Sequence, residues 1–279
     1  MKKWHFIIDV AKCENCNNCY LACKDEYVDN AWPPHSAPQP AHEQKWIKID
    51  GKERGQVPFI DVAYLPQPCQ HCDDAPCIKA AQNGAIYKRP EGIVIIDPEK
   101  AKGQDKLVNA CPYGAIFWNK ELNIPQKCTF CAHLIDTGWK QTRCAQSCPT
   151  GALTVINVED TDLQEIIKKE KLEIYRPELK TRPSTYYKNL YRFTRCFIGG
   201  SVAITVNGKN ECAEGAKVTL LKDGSEIAET IADNYGDFKF DNLPENSGKY
   251  TLKIELAEYN TKTVEVELKQ SLNAGVIRL

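Results

Sequence analysis

Apolar and polar positions change their rhythm near Gly199-Gly200. Downstream, apolar side chains alternate with polar ones over residues 201–206, 216–220, 237–240, 250–254 and 263–268. That period of two belongs to strands with one buried and one solvated face. Turn-forming residues stand between the runs, at Asn207-Gly208, Asp223-Gly224, Asn234-Tyr235-Gly236-Asp237 and Ser247-Gly248, and glycine, asparagine, aspartate and serine favour tight turns. Several short strands at this spacing predict a small all-β sandwich over 198–279, and that sandwich resembles immunoglobulin-like or transthyretin-like modules. Upstream, Leu163, Ile166 and Ile167 recur at helical spacing among charged residues, which predicts one amphipathic helix over 162–172. A basic, tyrosine-rich stretch from 176 to 197 reads as an extended arm, so helix and arm together occupy 161–197. Residues 1–160 hold all the tryptophans and most of the prolines and read as loop-rich, with a polar, proline-rich connection over 24–68.

Composition adds limits. The chain has 279 residues, 42% apolar and 26% charged, with a formal net charge of −1. It has no basic excess of the kind that binds nucleic acid. The opening apolar run is broken at Asp9 and lacks a cleavage site, and no stretch reaches the length of a membrane span. The expectation is a cytoplasmic protein without a membrane segment, with export alongside a signal-bearing partner left open.

Cysteine changes the picture most. Of fourteen cysteines, twelve lie between Cys13 and Cys148. They fall into Cys13-x2-Cys16-x2-Cys19-x3-Cys23, Cys69-x2-Cys72-x4-Cys77, a single Cys111 before Pro112, and Cys128-x2-Cys131-x12-Cys144-x3-Cys148. Disulfide frameworks belong to short secreted chains, so metal ligation is the better reading. Zinc sites use separated pairs. A close run of three cysteines instead wraps three corners of a cubane, and in ferredoxin runs the next cysteine ligates the other cluster. Applied here, that rule predicts three 4Fe-4S clusters: Cys13, Cys16, Cys19 and Cys148; Cys69, Cys72, Cys77 and Cys111; Cys23, Cys128, Cys131 and Cys144. No cysteine of the region is left over. A worn repeat at 81–85 and the spacing before Cys111 point to a fourth cluster position at Ala81, Ala101, Gln104 and Leu107, every one of which has lost its sulfur. The expected class is therefore α+β, a double ferredoxin-like domain over 1–160 followed by the sandwich.

These motifs resemble those of the four-cluster ferredoxin-type subunits of the dimethyl sulfoxide reductase superfamily of molybdenum or tungsten enzymes. The likeness lies in the 69–77 and 127–131 segments and in Asp97-Pro98-Glu99-Lys100, which leads into the emptied third motif. It covers about residues 1–195. Within the family, the 186–193 segment and the appended sandwich are most similar to small subunits of enzymes that act on hydroxylated aromatic rings, of transhydroxylase, hydroxylase or dehydroxylase type. The resemblance implies an electron-transfer subunit beside a large catalytic subunit that carries a bis-pterin molybdenum or tungsten cofactor. It also implies that no membrane subunit is needed, because the missing cluster is the one that faces such a partner in respiratory relatives. The alternatives are a stand-alone polyferredoxin carrier and the electron-transfer subunit of a respiratory reductase of another substrate class.

The remaining chemistry-bearing residues read more plainly. No nucleotide loop, pterin site or nucleophile–base pair is visible, so no catalytic residue is expected on this chain. Cys196 and Cys212 read as free or buried thiols. His71 and His133, close to cluster cysteines, read as packing or hydrogen-bonding partners of a site rather than ligands. Lys12, Lys127 and Arg143 abut cysteines; they either offset cluster charge or face solvent or a partner subunit.

Overall fold

The computed structural model describes residues 1–279 and divides them into two units, Met1–Gly51 with Tyr64–Leu190, and Lys52–Ala63 with Tyr191–Leu279. In chain order the first contains β1 (Lys3–Asp9), α1 (Asn18–Tyr27), the base of a hairpin formed by β2 (Ile47–Gln56) and β3 (Phe59–Pro68), and α2 (Pro76–Ala80). Two short antiparallel hairpins follow, β4 (Ile86–Lys88) with β5 (Val94–Ile96) and β6 (Phe117–Asn119) with β7 (Ile124–Gln126). Next come α3 (Ala132–Asp136), α4 (Arg143–Gln146), β8 (Leu153–Val158), α5 (Asp160–Glu170) and β9 (Thr185–Lys188).

β1 is the centre of this unit. It pairs antiparallel with β8 and parallel with β9, so that Phe6 stands opposite both Val155 and Thr185. Its Trp4, Phe6 and Ile8 are buried, as expected of a strand covered by apolar neighbours. α5 begins two residues before the expected helix. Asp160 and Asp162 lie in its first turn and Lys168 and Lys169 in its last, each sign matching the helix dipole. The expected arm is not a free segment: β9 completes the sheet through it, and fully buried Tyr187 donates its hydroxyl to the Pro66 carbonyl at 3.2 Å. β9 falls in the first unit through its pairing with β1, and the second unit resumes at Tyr191.

The second unit holds α6 (Tyr191–Thr194), β10 (Cys196–Val206), β11 (Lys209–Cys212), β12 (Lys217–Lys222), β13 (Ser225–Ile231), β14 (Asp237–Leu243), β15 (Gly248–Glu255), β16 (Lys262–Leu268) and β17 (Leu272–Arg278). One sheet has β10 with β14 and β11 antiparallel to it and β17 parallel; the other runs β13-β12-β15-β16. Val218, Leu220, Leu252 and Ile254 from one sheet and Ile198, Val202, Phe238 and Phe240 from the other share a single buried core. The five expected strands are present.

The hairpin tip over 52–63 also belongs to this unit. Arg54, with no exposed side-chain surface, donates to Asp61 at 3.1 Å and to Asp241. Arg192 and Lys239 also reach Asp61, at 2.8 and 3.1 Å. Gly55 adopts φ +89°, and a Cβ there would fall 2.2 Å from the Phe59 carbonyl oxygen and 2.6 Å from the Phe197 ring, so only glycine fits.

Candidate metal centres

Left-handed turns bring closely spaced cysteines around common volumes. Asn15 and Asn17, between the first three cysteines, adopt φ 55° and 61°, a conformation asparagine tolerates better than most residues. His71, Phe130 and Cys131 lie in the same region of backbone space, at φ 43°, 58° and 49°. α1 then carries Cys19 and Cys23 four residues apart, on one helix face. Cys148 follows α4, and Ser147 ties that end to α1 by donating its hydroxyl to the Asn18 carbonyl at 3.2 Å.

The structure brings the twelve expected residues together in three groups. Cys23, Cys128, Cys131 and Cys144 line one cavity. Cys69, Cys72, Cys77 and Cys111 line another. Cys13, Cys16 and Cys148 each lie close enough to oppose ionisation of Cys19, and Cys16 and Cys148 do the same to Cys13. The groups form a series. Cys19 opposes ionisation of Cys144, and Cys69 does the same to Cys128, so the Cys23 group stands between the other two. The Cys13 end is the accessible one, with Cys16 exposed, whereas Cys69, Cys72 and Cys77 are buried.

Burial dominates the acid–base behaviour of these sulfurs. It pushes the thiols of Cys19, Cys72 and Cys128 up to about 12, those of Cys77 and Cys131 to about 11, and those of Cys23 and Cys144 well above the ordinary value. Such thiols stay protonated at neutral pH unless a metal takes the proton's place. Cys148 behaves oppositely. Burial alone would raise it, but the Leu153 N–H, the Thr150 hydroxyl and the Ala152 and Thr150 N–H groups together hold it below the ordinary value. Phe130 and Ala115 place backbone N–H groups 3.4 Å from the Cys128 and Cys111 sulfurs.

The fourth position is filled by side chains. Ala101 and Leu107 are buried, packed with Ala85, Ile86 and Ile96 and with Ala81 beside them. Gln104 accepts from the Gln82 N–H at 3.0 Å and donates to the Lys100 carbonyl at 2.7 Å.

Tyr27, Thr129 and Thr142, close to the groups, give no signal in the sequence. The Tyr27 hydroxyl meets Thr129 at 2.7 Å, and the Thr142 hydroxyl stands 3.2 Å from the Cys144 sulfur. His133 Nε2 lies 2.8 Å from Glu26 and its ring stacks on Trp32 at 4.2 Å, so it is occupied with packing and a hydrogen bond. Arg143 pairs with Glu26 at 3.0 Å, and Lys12 is exposed. Lys127 is buried. In the second unit, Cys196 is buried and Cys212 exposed, and both are free thiols.

Residues 60–158 match the 4Fe-4S dicluster domain family, and the first unit with its cysteine groups is an iron–sulfur domain of that class. Over its whole length the chain is 42% identical to the pyrogallol hydroxytransferase small subunit of Pelobacter acidigallici, the alignment covering 100% of both, and it belongs to that protein's family. A tetrathionate reductase subunit of Salmonella typhimurium is 29% identical over 67% of this chain and 73% of its own length. A sulfite dehydrogenase subunit of Allochromatium vinosum is 29% identical over 67% and 83%. The chain is an electron-transfer iron–sulfur subunit. No helix is long and apolar enough to cross a membrane.

Proposed function

We propose that this chain holds three 4Fe-4S clusters on Cys13, Cys16, Cys19 and Cys148, on Cys69, Cys72, Cys77 and Cys111, and on Cys23, Cys128, Cys131 and Cys144. In this reading it serves a large subunit carrying a bis-pterin molybdenum or tungsten cofactor, in a cytoplasmic enzyme acting on hydroxylated aromatic rings. The observation that carries it is the sorting of twelve cysteines into three groups of four in a chain that aligns end to end with a pyrogallol hydroxytransferase small subunit.

The donor sets fit the group. The sulfurs surround their cavities, and no three His, Cys, Asp or Glu donors converge to hold a single ion; tetrahedral zinc would draw its sulfurs to about 2.3 Å from one point. Bound 4Fe-4S clusters supply one-electron storage and transfer. The chain's residues do the rest. The cysteines fix the clusters in series, and the apolar walls keep water from the inner two. Ala101, Leu107 and Gln104 close the series beyond Cys69, Cys72, Cys77 and Cys111, leaving the Cys13 end as the accessible terminus. The second unit, with its two four-stranded sheets, is an immunoglobulin- or transthyretin-like addition that we assign to docking.

Purified complex should contain about twelve iron and twelve sulfide per copy of this chain, as three cubanes require, and the large subunit should co-elute at one to one. Iron near eight or sixteen, or stoichiometric zinc, overturns the cluster assignment. Turnover of sulfur oxyanions in place of polyhydroxybenzenes overturns the substrate class while leaving the electron-transfer role intact.

A further inference from the structure

Beside the Cys69, Cys72, Cys77 and Cys111 cavity stands a lysine without a counter-ion. Lys127 lines that cavity and is 2% exposed. Its Nζ donates to two backbone carbonyls, those of Val94 and Cys128, the second at 3.0 Å, and no carboxylate joins them. A buried ammonium held only by neutral acceptors is disfavoured unless a negative charge lies nearby. His71 lines the same cavity and is equally buried. Its Nδ1 accepts from the Val94 N–H at 3.0 Å, which places the proton of the neutral ring on Nε2. Nε2 has no partner in the protein. One residue of β5, Val94, thus orients both side chains, using its N–H for one and its carbonyl for the other. The result is a cation with no carboxylate partner and a spare His71 donor with no protein acceptor, both beside four thiols.

We propose that Lys127 and His71 are the counter-charge and the hydrogen-bond donor of the cluster held by Cys69, Cys72, Cys77 and Cys111, and that they raise its reduction potential. The inference rests on the cluster assignment above. Four thiolates make the site anionic, and reduction adds one electron with no proton required. A fixed positive charge and an N–H donor in a water-poor site favour that extra electron. At the other end of the series, Cys16 is exposed and Lys12, which precedes Cys13 in the chain, is solvated, so the same help is screened there.

The test is a potentiometric titration, followed by electron paramagnetic resonance, of the complex carrying full-length chain. Lys127→Met should shift the reduction equilibrium of this cluster at least tenfold toward the oxidised form, which is about 59 mV for a one-electron couple. His71→Phe should shift it in the same sense by less. The cluster of Cys13, Cys16, Cys19 and Cys148 should not move, and Lys127→Arg should restore the potential. Three intact clusters with an unmoved potential in Lys127→Met overturn the inference but not the cluster assignment; wild-type complex lacking a third cluster overturns the assignment itself. If Lys127→Met fails to load, Lys127→Gln carries the same titration. Loss of the cluster in both neutral variants with full loading of Lys127→Arg supports the counter-charge role, whereas loss in all three overturns it in favour of packing.

Discussion

Cys144 and Cys148 sit one turn apart, yet they face different groups, and so do Cys19 and Cys23. α1 packs against α4, and Cys23 lies with Cys144 while Cys19 lies with Cys148. Serine is a poor substitute for a thiolate. Cys148→Ser should therefore alter the cluster of Cys13, Cys16 and Cys19, and Cys111→Ser that of Cys69, Cys72 and Cys77. Electron paramagnetic resonance of the two variants should show different signals changed, each toward a three-iron form or loss; one common signal changed in both would mean that the exchange of fourth ligands is wrong. At this scale the sequence is highly legible. Cysteine spacing is local, and the one non-local rule it needs, the exchange of the fourth ligand, is itself regular. The environment of those sulfurs is not legible. Thr129 lies 102 residues from Tyr27, whose hydroxyl it meets, and nothing local announces such a pair. Lys127 stands beside Cys128 in the sequence, but whether it faces water or a cavity depends on β5, which is far away along the chain.

The hairpin of β2 and β3 is the element the sequence hides. Its residues 47–56 mix apolar, charged and glycine positions without clear alternation, and with the prolines around them they read as a connection. What stabilises its tip is a buried charge network, which hydrophobic periodicity cannot register. Arg54 has two carboxylate partners and the face of Phe197 5.1 Å away. Removing one member of a buried pair costs about 3–5 kcal/mol, and because Lys239 still reaches both Asp61 and Asp241, Arg54→Ala should fall near the lower end. Denaturant unfolding of the second unit checks this, and a loss within error of zero would show the network to be inert. The same network predicts a pH effect. Burial alone would raise Asp61, but Lys239, Arg192 and Arg54 together hold it below the ordinary carboxylate value. Its contribution is then fully present above the unfolded value of about 3.9 and is lost as pH falls through the lower folded value. Thermal melts at falling pH should show that loss in wild type and a smaller one in Asp61→Asn. β11, β13 and β17 are equally hard to read. β13 is exposed along most of its length and so lacks the apolar alternation of its neighbours, whereas α5 and the five predicted strands each show a clear apolar face.

Across the whole molecule the two units depend on different physics. The core of the first is built partly from the cysteines: Cys72 and Cys77 belong to one buried cluster and Cys131 to another. Four of its strands have three residues each, and three of its helices have five residues or fewer. The second has sixteen buried residues in one continuous core contributed by both sheets. Chelating iron from the full chain should therefore abolish cooperative structure in the first unit, as metal loss does in small metal-held domains, while a cooperative melt of β-rich structure survives. Leu252 is fully buried in that second core, and Leu252→Ala should lower the surviving transition by about 2–5 kcal/mol without changing the cluster spectra of the loaded protein. The hairpin tip makes the expectation sharper. A fragment starting at Tyr191 lacks Arg54 and Phe59, so it should melt below the second unit of the iron-free full chain, and restoring residues 52–63 should recover the difference. Circular dichroism on the three samples decides the matter. A single transition that vanishes with the iron would show one cooperative unit instead of two, and equal melts for the fragment and the iron-free chain would place the hairpin tip outside the second unit's fold.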